Sequence, residues 1–527
     1  MHLRRCFLAK FGIYLGYAPE QKLNDQGLGR LLTFILKGVI NNNTHSRIPI
    51  AMPKWYEDTF LELIYEHDID LDNIEIITTD YIPLIFRIRE KLRERKFGFF
   101  SRIKVKFLPV KFRLANEFFN IISGGWSFNK LITISALIIS ISAILGILLM
   151  PVFITAILLF IGMKGVKRIT RRYHSTVLSL LARYKSNGKD IKNDKLVQKI
   201  FERIRDQELF KLAQKLNSRQ DIENWFVPTL FWPEIKYLQG RKVVTVPDIV
   251  FYDFPVEFRD EYWIKALDRV ENTMATADKF ICYSEYVKNN HICKRFGVAS
   301  TDVDVIQHGH VDMSNLLTGT SSEEILKSYI KEYYESDDYL NGFPLHDCDY
   351  ILYASQCRPH KNILALLKAY KIILRERFIP IKLVLTGRVY DDDIIADFID
   401  SNGLHCDVIS LTDVPTKVLA ALNKHAICHV NPTLFEGGFP FTFSEAYSVG
   451  TPSVMSRIPM VKEIVKEYDD YPNMFFEPTS IASIVDCVSW VINNRDLALE
   501  LQEPLYENFK RRTWDIVANE YIKSIER

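Results

Sequence analysis

No C-x-x-C pair occurs among the eight cysteines, which stand at positions 6, 282, 293, 348, 357, 406, 428 and 487. Their scatter argues against a disulfide framework or a structural zinc site and fits a reducing cytoplasm. An excess of either charge is also missing. The 67 Lys/Arg and 65 Asp/Glu leave a net charge of +2, so there is no global nucleic-acid signature and no nucleic-acid partner is expected. Charge vanishes altogether from residues 131–163, a run of 33 bounded by Lys130 and Lys164. Such a run is too apolar for a soluble core helix. About 20 helical residues cross a hydrocarbon core, so the run is too long for one straight span and too short for two full ones. Gly146 and Pro151 near its middle mark a place for the chain to turn. What the chain has in quantity is apolar surface, 48% of 527 residues, enough for roughly two to four cored domains.

The flanks of the apolar run are basic. Residues 87–113 carry eleven Lys/Arg against two Glu, and Lys167, Arg168, Arg171 and Arg172 follow on the other side. Basic residues on both sides mark the cytoplasmic face and attract anionic lipid. Strand and helix patterns before and after the run read as one α/β domain, which places both flanks in one compartment. The expectation is therefore a re-entrant or double-pass hairpin with both ends cytoplasmic.

The remainder alternates strand and helix. Residues 7–15 read as a first buried strand rather than a signal peptide, because Lys10 interrupts the apolar run. Gln26-Gly27-Leu28-Gly29-Arg30 then forms a glycine turn into a helix over 31–40, an arrangement suited to anions. Further strands fall at 74–78, 225–228, 243–248 and 279–284, with Asp248 at a strand's carboxyl end, where open α/β sheets bind ligands. A polar stretch over 318–349 reads as a linker with its own helix. A second strand-turn-helix begins at 350–354, followed by Arg358-Pro359-His360-Lys361-Asn362 and a helix over 363–374 with apolar positions at helical period. Arg358 and Lys361 at that helix start suit a diphosphate. Strands at 382–386, 408–411 and 427–430 continue the sheet, with Thr386, Gly387 and Asp413 at strand ends where a nucleotide base fits. The stretch 431–452 closes the pattern. In it Gly437 and Gly438 let backbone approach a ligand, and Thr442-Phe443-Ser444-Glu445 fits a capping box that puts Glu445 in a first helical turn.

Glu436 followed by glycine, a Phe/Gly/Pro turn, Glu445 followed by alanine, and then Gly450-Thr451-Pro452 together resemble the donor-site motif of GT-B retaining glycosyltransferases of family four, the glycosyl transferases group one. The Pro359-His360-Lys361-Asn362 turn resembles the same family, as does the Gly-x-Gly-Arg loop at Gly27, Gly29 and Arg30. The resemblance covers most of the chain outside the hairpin and is densest over 350–452. It implies two Rossmann-like domains facing a cleft: 1–86 and 191–345 for the first, interrupted by an insertion over 87–190, and 346–505 for the second. A tail over 506–527 crosses back to the first domain. It further implies sugar transfer from a nucleoside diphosphate sugar with retention, Glu436 contacting the sugar, Glu445 the ribose, and Lys361 with Arg358 the diphosphate. No metal or other cofactor is expected. With the apolar hairpin, the acceptor expected is a lipid-linked or polysaccharide glycan, and the location the cytoplasmic face of the membrane.

Three positions depart from the family pattern. Eight residues separate Glu436 and Glu445, one more than the motif has, so either the turn bulges or the role of Glu436 changes. The family's arginine aligns with Gln356 rather than Arg358, and its sugar-contacting histidine aligns with Pro247. These departures keep open a catalytically degenerate, membrane-anchored nucleotide-sugar binder. A GT-B epimerase fits less well, since a soluble substrate pair needs no anchor. Asp-x-Asp triplets at 68–70, 302–304, 347–349 and 391–393 lie apart from these features, as does the pair His308 and His310, and none is read as a metal site.

Overall fold

The computed structural model describes residues 11–19, 27–42, 47–83, 86–87, 195–258, 261–466 and 470–527. The chain divides into two compact units, Met1–Asp80 with Lys211–Arg527, and Tyr81–Phe210. In the smaller unit the described residues include Phe86 and Phe201, whose rings stack with centroids 5.4 Å apart. The expected membrane hairpin over 131–163 lies outside the described residues. Among the described residues no helix is long and apolar enough to cross a membrane.

The larger unit contains two parallel sheets. The first has seven strands in the order β3-β2-β1-β4-β5-β6-β7. They are β1 (Phe11–Tyr14), β2 (Ile48–Met52), β3 (Ile74–Thr78), β4 (Asn224–Val227), β5 (Arg241–Val246), β6 (Lys279–Cys282) and β7 (Val303–Val305). The second has six, in the order β10-β9-β8-β11-β12-β13. Its strands are β8 (Tyr350–Tyr353), β9 (Lys382–Leu385), β10 (Val408–Ser410), β11 (Cys428–Asn431), β12 (Ser453–Ser456) and β13 (Phe475–Phe476). The strand Tyr350–Tyr353, buried along its whole length, reads as a continuous apolar run because helices cover both sheet faces.

In each sheet the order reverses once, between β1 and β4 and between β8 and β11. Loops leaving the two strands at a reversal run to opposite sides, which opens a crevice at the strands' carboxyl ends.

Helix Ile363–Arg375 covers one face of the second sheet, with Ile363, Leu366, Leu367, Tyr370 and Ile373 buried against Leu383 and Leu385. The stretch expected to be a linker does more than connect. Its helix Ser322–Tyr333 buries Ile325, Leu326, Tyr329 and Ile330 against Leu352, Val384 and Ile409, and so supplies the other face. The polar residues that suggested a linker lie on the outside of an amphipathic helix.

The last helix, Trp514–Glu526, packs on helix Gly27–Asn42 of the first sheet. Trp514 stacks on Phe34 at 4.6 Å, and Gly38 lies so close that an added Cβ would stand 2.5 Å from the Ala518 Cβ. Lys279 of β6 also donates to the Ser524 carbonyl at 3.3 Å.

Candidate functional site

The turns after β8 and β11 meet at the second sheet's reversal. The first contains a tight turn at Pro359–Lys361 and then Asn362 in the left-handed region, φ 57°. Asparagine tolerates that conformation, and here its side-chain amide donates to the carbonyls of Pro432 at 3.0 Å and Pro478 at 2.9 Å. The second turn is tied to the first through His360, whose carbonyl accepts from the Leu434 amide at 2.8 Å and the Thr433 hydroxyl at 3.2 Å. The Tyr353 hydroxyl donates to the Lys361 carbonyl at 3.1 Å.

These ties bring the Lys361 ammonium to 2.6 Å from a Glu436 carboxylate oxygen. The two side chains are 18% and 23% exposed, so the pair is shielded but open to a ligand. No side chain caps helix Ile363–Arg375, which leaves its first amides without a side-chain acceptor. Arg358 sits exposed at the start of the same turn. Burial, reinforced by the charges of Lys361 and Arg358, pushes His360 down to about 3, so it is neutral.

Glu445 does not cap its helix. Helix Phe441–Ser448 is entered through Pro440 at φ −61°, ahead of Thr442, and no side chain caps it. The proline ring presets helical φ and starts the helix early. Thr442 is already inside it, accepting from the Asn431 side-chain amide at 3.3 Å, and Glu445 falls in the second turn, 3% exposed.

The glycines play a part different from the one expected. A Cβ on Gly437 would lie 1.9 Å from the Pro247 carbonyl oxygen, and one on Gly438 would lie 2.9 Å from the Tyr283 Cβ. Both therefore let the first sheet's strand ends reach the Glu436 turn, and the close approach they permit is backbone to backbone. Pro247 sets its carbonyl against Gly437. Asp248 beside it accepts from the Val250 amide at 3.3 Å. Gly387 serves packing in the same way, as its Cβ would stand 2.7 Å from the Ser355 carbonyl oxygen. Asp413, at φ 52°, pairs with Arg388 at 2.7 Å on the surface.

Gly27, Gly29 and Arg30 belong to the other sheet. They form the first turn of helix Gly27–Asn42 rather than a loop before it.

His308 and His310 go separate ways. His308 is wedged between Tyr283 at 4.1 Å and Phe441 at 4.3 Å, where burial drives it to about 3, while His310 packs on Tyr506 at 5.1 Å. Among the Asp-x-Asp triplets, Asp70 caps a turn through the Asp72 amide, Asp304 pairs with Lys279 at 2.7 Å, and Asp392 caps helix Asp393–Ser401.

Several residues at the site were not singled out from the sequence. Phe435, 4% exposed, lies in an aromatic clasp formed by His291 and Tyr286, which follow β6 of the first sheet. The Ser284 hydroxyl donates to the Gly437 carbonyl at 2.8 Å. From the far side of the turn, Glu463 accepts the Glu285 and Tyr286 amides, each at 2.7 Å. None of these contacts carried a sequence signal, since each joins residues far apart along the chain.

The deciding similarity falls on this site. Residues 343–512 match the family model Glycosyl transferases group 1. This group 1 region holds Arg358, Lys361, Glu436 and Glu445. Over 117 residues, 22% of its length, the chain is also 32% identical to O-antigen chain mannosyltransferase B of Escherichia coli, spanning 30% of that protein's length. Among solved structures, Anabaena Alr3699/HepE in complex with UDP and glucose superposes with TM-score 0.52 at 12% identity over 97% of both chains. S. aureus TarM matches with TM-score 0.44 at 15% identity over 60% of this chain and 58% of its own. The two-sheet fold is GT-B-like.

Proposed function

We propose that the protein is a membrane-associated glycosyltransferase that moves a sugar from a nucleoside diphosphate sugar to an acceptor hydroxyl with retention at the anomeric carbon. The observation that carries this reading is the Lys361–Glu436 pair, 2.6 Å apart at the β8/β11 reversal inside the group 1 region. A pre-placed ammonium beside an uncapped helix start stabilises a departing diphosphate, and preorganised charge of this kind commonly contributes more to catalysis than any other single effect. Arg358 adds a second cation from the same turn. With these groups supplying the positive charge, no metal is required by the proposal.

The bond from the anomeric carbon to the diphosphate oxygen breaks while the bond to the acceptor oxygen forms on the same face. The departing phosphate oxygen takes the acceptor's proton. Lys361 is then shared between the phosphate and Glu436, which turns its other oxygen to the sugar hydroxyls. Glu445 receives the ribose hydroxyls, and Gly387 borders the base. Asp248, Gly437 and Gly438 border the sugar, and Gly27, Gly29 and Arg30 serve the diphosphate or the acceptor. The apolar run at 131–163 with its basic flanks supports a lipid-linked or membrane-emerging acceptor at the cytoplasmic face. The O-antigen relative supports a polysaccharide product, and the UDP in HepE supports a nucleoside diphosphate donor.

The test is release of nucleoside diphosphate from a panel of UDP-, GDP- and dTDP-sugars by detergent-solubilised protein without added metal. Lys361→Ala and Glu445→Ala serve as controls. Release from one donor, abolished by both substitutions, is the expected result. Binding of a donor without release, indifferent to Glu436→Ala, would instead identify a degenerate binder.

A further inference from the structure

The helical segment after β6 is π-helical over Val287–Cys293, and π segments are rare and concentrate at functional sites. Its contacts converge on the Glu436 turn. His291, 2% exposed, stacks on Phe435 with centroids 5.4 Å apart and planes at 16°. Tyr286, one turn earlier, meets the same ring edge-on at 6.1 Å. The His291 Nε2 lies 2.8 Å from an Asp253 carboxylate oxygen, and its Nδ1 is buried without a hydrogen-bond partner. Ser284, just before the segment, holds the Gly437 carbonyl at 2.8 Å and accepts the Val287 amide at 3.3 Å. The turn is thus gripped on both sides of Glu436 by residues of the opposite domain.

An ordinary α-helix carries a side chain about 100° around its axis per residue, and a π segment under-winds that rotation. Placing both Tyr286 and His291 on one phenyl ring, five positions apart, is a geometry the i→i+5 pattern favours. The buried Nδ1 without a partner has a desolvation cost that packing alone would avoid. A phenylalanine at 291 would stack as well, so the imidazole is retained for what its other nitrogen does with Asp253.

We infer that His291, oriented by Asp253, is a positioning residue through which the first domain sets the Glu436 carboxylate, so that the donor site is complete only while the two domains are engaged. This rests on the glycosyltransferase reading of the Lys361–Glu436 site. Free rotation of the turn would leave the nucleotide half of the pocket, built by the second domain alone, unchanged. Catalysis, which depends on where Glu436 points, would fall.

The experiment compares wild type with His291→Ala, Asp253→Asn and Ser284→Ala by two readouts. The first is amide hydrogen exchange in the peptide over 432–440, which needs no activity. The second is the split between kcat and donor KM with the donor identified above. Expected are faster exchange at 437–438 in His291→Ala and Ser284→Ala and a kcat lower by about 10²-fold, the order reached by ~1 Å misplacements. Donor KM and nucleoside diphosphate affinity should stay within about twofold. Asp253→Asn, which keeps an acceptor for Nε2, should retain most of kcat. Unchanged exchange in a folded His291→Ala overturns the inference, as does a parallel loss of nucleotide affinity. If wild type itself releases nothing from any donor, the functional reading fails while the exchange data still decide whether the grip exists. Should His291→Ala not fold, Ser284→Ala carries the same test.

Discussion

Substituting Gly437 by alanine tests how the loops of the two sheets meet, because it adds one methyl group where the Glu436 turn faces Pro247. The Gly437 backbone is not in the left-handed region, so alanine adopts its conformation without strain and the effect is purely steric. The new Cβ would sit 1.9 Å from the Pro247 carbonyl oxygen and 2.9 Å from its carbon. Ordinary C···O contacts begin at about 3.3 Å, so the two backbones must separate by roughly 1.4 Å. Neither neighbour is a flexible side-chain end, and the separation therefore opens the cleft at the Glu436 turn. Overpacking of this kind costs about 1–3 kcal/mol where the structure cannot yield. Pro247 and Gly437 both lie in loops, which yield more readily than packed strands, so most of the effect should appear in turnover and little in thermal stability.

A displacement near 1 Å at reacting groups costs on the order of 10²-fold in rate. The assay is donor-dependent transfer or hydrolysis alongside calorimetric Tm. Gly438→Ala, facing the Tyr283 Cβ at 2.9 Å, should show a smaller loss. Wild-type turnover in Gly437→Ala would refute the claim that the engaged arrangement is the active one.

Other expectations follow from the same contacts. Gly38→Ala places a Cβ 2.5 Å from the Ala518 Cβ and 2.8 Å from the Trp514 carbonyl oxygen, and should lower stability by about 1–3 kcal/mol, read as a drop in Tm. His308 and His429 are buried neutral with values near 3, so the unfolded chain binds their protons first. Their stabilisation is full above about pH 6.5 and is lost as pH falls toward 3, roughly 2 kcal/mol each by pH 5, which a denaturant titration against pH will show as a falling midpoint. Burial raises Glu463 above its ordinary 4.5 against the two amides that favour its charge. Its contribution is therefore greatest below 4.5 and declines as pH rises through the raised value. Glu463→Gln should flatten that slope, and a wild-type advantage in Tm that grows with pH would contradict it.

Much of this fold is legible in the sequence because parallel strands covered on both faces must be apolar along their length. Tyr350–Tyr353 and its helix Ile363–Arg375 are such a case. The turns that carry Lys361 and Glu436 were legible too, since each follows a buried strand. The role of Thr442 was not, because Thr-x-x-Glu has the same pattern whether it caps a helix or lies within one, and Pro440 decides between them. Gly437 and Gly438 advertise close approach without saying to what. The grip of His291, Tyr286 and Ser284 on the turn lies furthest from reach. It joins residues more than a hundred positions apart, and nothing periodic in a single chain records which histidine meets which phenylalanine.

The molecule has two reversal crevices, at β1/β4 and at β8/β11, and either could hold a nucleotide by its topology. A crystal structure with the nucleoside diphosphate of the preferred donor therefore tests the account most directly. The account predicts the diphosphate within hydrogen-bonding distance of Lys361 at the β8/β11 crevice, the ribose on Glu445, and loss of binding in Lys361→Ala. A nucleotide bound at β1/β4 instead, with affinity indifferent to Lys361, would contradict it.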